Sequence, residues 1–137
     1  MLDKTNSRSC TLDAFAFITG IPTEELIEEM GDDGAEEGIA TQQLVVPLLR
    51  RGWTMTPVER TPRRQNPETW EVKHVFGDQH AEDRFDVLLS HFDGVLMGHW
   101  ERGLTHAIAW KDGTMHDSAP RAYRFVPEIF WVVRKCV

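Results

Sequence analysis

The sequence is poor in cysteine, with only Cys10 and Cys136 among its 137 residues, near opposite ends. That count and spacing exclude a disulfide-stapled scaffold and a multi-cysteine zinc site. No apolar run approaches the length of a membrane span. The first residues, MLDKTNSRSC, lack the apolar centre of a signal peptide. A cytoplasmic location is therefore expected, with both thiols free and no membrane partner. Positive charge is also in deficit: 15 Lys and Arg stand against 22 Asp and Glu, a net charge of -7. This argues against a nucleic-acid partner bound through broad phosphate neutralisation. Repeats, low-complexity tracts and breaks in composition are missing too, so a single domain over residues 1–137 is expected.

What is present reads as helices followed by strands. SCTLDAFAFIT, from Ser9 to Thr19, is apolar on nearly every side and predicts a buried helix, with Ser9 as its N-cap and Gly20 as its stop. TEELIEEM follows Pro22 and ends at Gly31, the usual proline-first, glycine-last pattern. The acids from Glu24 to Glu37, with no base among them, read as a solvated face. A third helix is expected over QQLVVPLLRR, capped by Thr41 and kinked or shortened at Pro47. WTMTPV and WEVKHVF read as strands. The stretch between them, from Glu59 to Glu68 with Arg60, Arg63 and Arg64, reads as an exposed loop. Phe85, Leu88, Leu89 and Phe92 have helical spacing within AEDRFDVLLSHF. GVLMGHW, LTHAIAW, TMHDSA and EIFWVVRK are short, rich in β-branched and aromatic residues, and separated by turns. The expected class is α+β, with N-terminal helices packed on a C-terminal antiparallel sheet.

Cys10 lies at the expected start of the first helix. Unpaired backbone N–H groups and the helix dipole favour a thiolate there, and the thiolate is the nucleophilic form. The plainer reading of Cys10 is a small buried residue. The late hairpin bears on the choice. Asp112-Gly113 is a two-residue turn signal, which would pair Lys111 with Thr114 and Trp110 with Met115. His106 then shares a sheet face with Ile108, Asp117 lies diagonally across on that face, and His116 falls on the other. A three-residue turn would reverse the register and offer His116 in place of Asp117. In the two-residue register, Cys10, His106 and Asp117 supply a nucleophile, a base and a group to orient the base.

SCTLDAFAFITG and THAIAWKDGTMHDSAP together resemble the papain-like cysteine peptidases, and in particular small bacterial and phage proteins similar to bacteriocin-leader peptidases. The resemblance implies a papain-like fold whose nucleophile helix packs on the sheet. It implies Cys10 as nucleophile, His106 as general base and acid, and Asp117 as orienter. It also implies a peptide or protein substrate and no cofactor. The family's glutamine upstream of the cysteine has no counterpart, because the first glutamine here is Gln42. Asn6 is the nearest upstream amide to serve as oxyanion donor, beside the Cys10 backbone N–H. Loss of one such donor costs on the order of a hundredfold in rate. Cell-wall peptidases of the NlpC type are a neighbouring resemblance through His106 and His116, but the residues that flank their cysteine are absent. A papain-like module that binds a partner without turnover is the alternative function.

The six histidines show no recognised ligand spacing, either in His99, His106, His116 and Asp117 or in His74, Asp78 and His80, so no metal is expected. Trp100 and Trp70, which flank loops, and His99 are candidates to line a substrate cleft. Trp110 and Trp131 read as core.

Overall fold

The computed structural model describes residues 7–30, 41–60, 63–65, 67–69, 72–74, 79–101, 105–117 and 124–136. Helix α1, Ser7–Thr19, begins two residues before the expected Ser9 cap, so Cys10 lies within its first turn. Gly20, at a φ of +75°, ends the helix, and its N–H donates to the Ala16 carbonyl at 2.8 Å. This left-handed stop is one that glycine adopts without a Cβ penalty. α1 is not buried all round. Leu12, Ala14, Phe15 and Ile18 are in the core, whereas Phe17 is 48% exposed. The apolar pattern alone did not reveal this open side.

Helix α2, Thr23–Met30, follows as expected. Its acids are not uniformly solvated. Arg51 Nε donates to Glu29 at 3.1 Å and Arg51 Nη1 to Glu25 at 3.0 Å. The hydrogen bond to Glu29 is the main cause that raises the Arg51 pKa. The helix expected over QQLVVPLLRR is instead a 3₁₀ turn, Thr41–Leu44, followed by helix α3, Val45–Arg50. Pro47 thereby falls in the first turn of α3, where its missing N–H has no intrahelical acceptor to lose.

Strands β1, Trp53–Glu59, β4, Gly94–Trp100, β5, Thr105–Lys111, β6, Thr114–His116, and β7, Phe125–Lys135, form a five-stranded sheet in the order β1-β7-β4-β5-β6. Every neighbouring pair is antiparallel. Strands β2, Arg63–Gln65, and β3, Val72–His74, form a separate antiparallel pair. β2 lies inside the stretch expected to be loop. Three arginine-rich residues carry no strand period, and pairing with β3 is what holds them extended.

Two cores flank the five-stranded sheet. On one face α1, α2 and α3 bring Leu12, Phe15, Leu26 and Leu48 onto Val95, Ala107, Ala109, Trp131 and Val133. The small side chains of Ala107 and Ala109 let α1 approach β5 closely. On the other face lies helix α4, Gln79–His91. Phe85 of this helix joins Leu96, Phe130 and Val132, with Leu88, Leu89 and Phe92 packed around them. Burying a side chain such as Phe15 or Phe130 contributes roughly 1.5–3 kcal/mol. Trp110 Nε1 donates to the Leu89 carbonyl at 2.7 Å, which ties α4 to β5. The fold is α+β, with the cysteine-bearing helix packed on the sheet as expected. Among the described residues, no helix is long and apolar enough to cross a membrane.

Candidate functional site

The hairpin that ends the site is a two-residue turn. Asp112 and Gly113 have φ values of 53° and 74°, the paired left-handed conformation of a type I′ turn. Asp112 N–H is also held by Asp93 Oδ1 at 3.0 Å. The turn pairs Lys111 with Thr114, Trp110 with Met115 and Ala109 with His116. The three-residue register is therefore not adopted.

Past the end of β6, Asp117 reaches diagonally back to His106. His106 Nε2 and Asp117 Oδ1 are 2.9 Å apart, with the two side chains 5% and 13% exposed. With Asp117 as carboxylate, Nε2–H is the donor, and the lone pair for accepting a proton is left on Nδ1. The ring is enclosed by aromatics. Trp100 stacks on it with centroids 5.1 Å apart and planes at 29°, and Phe125 meets it edge-on at 6.1 Å. Gly98 faces His106 across the β4–β5 ladder, and a Cβ there would collide with the Val126 carbonyl. The close approach of β7 at this point thus requires glycine.

Cys10 is 2% exposed and packs in the core that contains Ala107 and Ala109. Beside it lies a cavity of about 310 Å³. α1 contributes Cys10, Asp13, Ala14 and Phe17 to its lining, and the hairpin contributes Ala107, Ala109, His116 and Asp117. Phe17 and His116 stack at 4.7 Å, and Lys111 Nζ lies 5.9 Å from the Phe17 ring centroid. A second cavity, of about 230 Å³, is lined by Thr11, Thr41, Gln42, Met97, Thr105, His106 and Glu128 among others.

The structure thus joins Asp117 to His106 by a hydrogen bond and to Cys10 by a shared cavity. Cys10 and His106 line different cavities, the first bordered by Cys10, Asp13, Ala14 and Phe17 of α1 and the second by Thr11 of α1. The division is not one between sheet faces: the second cavity is bordered by Thr11 of α1 and by Met97, Ile129 and Trp131, which pack with the α1-side core. Ala107 and Ala109 face α1, while His106 turns with Ile108 and Trp110 toward the Trp100–Phe125 side.

Asn6, Trp70 and Asp78 lie outside the described residues. Trp100 is 6% exposed, packs on His106 and is not among the residues that line these two cavities. His99 does not line them either. Its Nδ1 lies 3.4 Å from Glu128 Oε1, and Glu128 borders the second cavity. Among the described residues no group of His, Cys, Asp and Glu has the arrangement of a metal site. The sequence reading missed Phe125, Phe17, Asp13 and Gln42. No local signal marks them, because each reaches the site only through packing of separate elements. No family model, no curated protein and no solved structure matches the chain.

Proposed function

We propose that this chain is a papain-like cysteine hydrolase or acyl transferase that acts on an amide or thioester of a peptide or protein. The observation that carries the reading is the buried 2.9 Å His106–Asp117 hydrogen bond, whose carboxylate also borders the Cys10 cavity. Asp117 holds the imidazole with Nδ1 as its basic nitrogen. Catalysis requires Cys10 Sγ to come within hydrogen-bond reach of His106 Nδ1, directly or through one water. His106 then takes the thiol proton, and the sulfur attacks the substrate carbonyl carbon. A C–S bond forms and the carbonyl becomes an oxyanion, for which Asn6 and the Cys10 backbone N–H are the proposed donors. Collapse of this intermediate breaks the C–N bond, and the amine leaves with the proton held by His106. Water, or an acceptor amine in the transferase case, then gives a proton to His106 and attacks the thioester. The C–S bond breaks and the proton returns to Cys10. The chemistry needs no metal or cofactor. It suits a reducing compartment such as the cytoplasm, where Cys10 and Cys136 stay free.

The 2% exposure of Cys10 and its separation from the His106 cavity favour a second reading, a papain-like module that binds a partner without turnover. Competitive alkylation with iodoacetamide at pH 6.5, read by mass spectrometry, separates the two. In the hydrolase or transferase, Cys10 reacts far faster than the exposed Cys136, and His106→Ala removes the difference. Equal slow alkylation of both thiols would overturn the catalytic reading.

A further inference from the structure

We propose that Asp93 is a positioning residue: it fixes the register of the β5–β6 hairpin and so makes Asp117, rather than His116, the partner of His106. Its bearing on catalysis rests on the cysteine chemistry proposed above; its effect on the His106–Asp117 bond rests on the hairpin alone. β6 is a three-residue strand at the edge of the sheet, and Thr114, Met115 and His116 are all exposed. Register is strongly specified where one face of a strand is buried and weakly where neither is, and a slip of one residue sends every side chain to the other face. Such a slip in β6 would carry Asp117 to the Phe17 side and His116 to the His106 side. Burial of β6 does not choose between the two registers, so the choice falls to the turn. The turn depends on Asp112, the only non-glycine residue with a positive φ among the described residues. A left-handed backbone is costly for a residue with a Cβ, though less so for Asp than for most. Asp93 offsets that cost, because its Oδ1 accepts the Asp112 N–H at 3.0 Å. Asp93 is itself anchored. It lies between α4 and β4, and its carbonyl accepts the Val133 N–H at 3.1 Å. At the next residue, Gly94, a Cβ would collide with the Trp131 carbonyl, so the chain runs close against β7. A fixed carboxylate thus reaches from the central strands to the hairpin tip and holds the backbone angle that puts Asp117 beside His106.

The test uses the intact chain labelled with ¹⁵N-histidine and ¹⁵N-tryptophan. NMR reads the solvent exchange of two side-chain protons on β5: His106 Nε2–H, bonded to Asp117, and Trp110 Nε1–H, bonded to the Leu89 carbonyl. Asp93→Ala is expected to speed exchange of the His106 proton about fivefold, the scale of one net hydrogen bond, and to leave the Trp110 proton unchanged. Asp93→Asn retains the acceptor and should keep the native rate. Asp112→Gly reaches the left-handed angle without a Cβ, so adding it to Asp93→Ala should restore the native rate. Four results would overturn the inference: an unchanged His106 proton in Asp93→Ala, equal acceleration of both protons, equal effects of Asp93→Asn and Asp93→Ala, or no recovery in the double variant. Exchange is read without any reaction at the thiol. Slow alkylation of Cys10 together with the expected exchange pattern would therefore overturn the cysteine chemistry and uphold the role of Asp93. Fast alkylation with exchange unaffected by Asp93→Ala would do the reverse.

Discussion

The two faces of the five-stranded sheet treat the candidate catalytic groups differently. On the α1 face, Cys10 lies over the short side chains of Ala107 and Ala109, and a cavity remains next to the sulfur-bearing residue. On the other face, large rings fill the layer. Trp100 and Phe125 enclose His106, while Phe85 and Phe130 meet edge-to-face at 6.3 Å under α4. Small residues leave room for a reacting partner. Large ones hold an imidazole in one orientation, because an enclosed ring has few rotamers open to it. Asp117 connects the two environments, since it is bonded to the ring on one side and borders the cavity on the other.

The largest effect that would test this contrast is on stability. Phe130 is fully buried on the ring-filled face, and Phe130→Ala should destabilise the fold by roughly 3–5 kcal/mol in urea denaturation. A loss below about 1 kcal/mol would mean that this face is not densely packed. Next, His106→Ala should slow Cys10 alkylation at pH 6.5 by about a hundredfold, the scale of a lost general base. If the rate is unchanged, the enclosed imidazole and the cavity-lining thiol do not communicate. Asp117→Asn keeps the shape but weakens the bond that orients the ring, and about a tenfold slower alkylation is expected with an unchanged circular-dichroism spectrum. A spectrum that collapses would instead make Asp117 a structural link between the faces. The smallest effect lies away from both environments. Arg51→Ala removes exposed ion pairs with Glu25 and Glu29, and the urea midpoint should stay within error. A clear shift would show that the acidic helix contributes to stability.

Much of the hairpin was legible before any coordinates. Asp112-Gly113 suits left-handed backbone angles at both positions, and strand alternation then places Asp117 with His106 and His116 on the opposite side. The helical spacing of Phe85, Leu88, Leu89 and Phe92 likewise marked α4 and its core-facing side. Elements without a period of their own were less visible. The 3₁₀ turn before Pro47, the short β2 strand and the exposed side of α1 depend on neighbours distant in the chain. Trp100 illustrates the limit at the site. A tryptophan at the end of a strand reads equally well as a cleft wall or as packing. Its 5.1 Å stack on His106 is visible only in the tertiary structure.

By itself, the sequence determined the α+β class, the hairpin register and the positions of His106 and Asp117 on one sheet face. These follow from local backbone preferences and from the periods of 3.6 and 2. Only the tertiary structure decided that β1 joins β7 across the length of the chain, and that α1 lies on Ala107 and Ala109 with a cavity beside Cys10. It also decided that His106 is enclosed by rings from β4 and β7. Such contacts depend on the summed packing of elements far apart in sequence, and no residue carries that information alone.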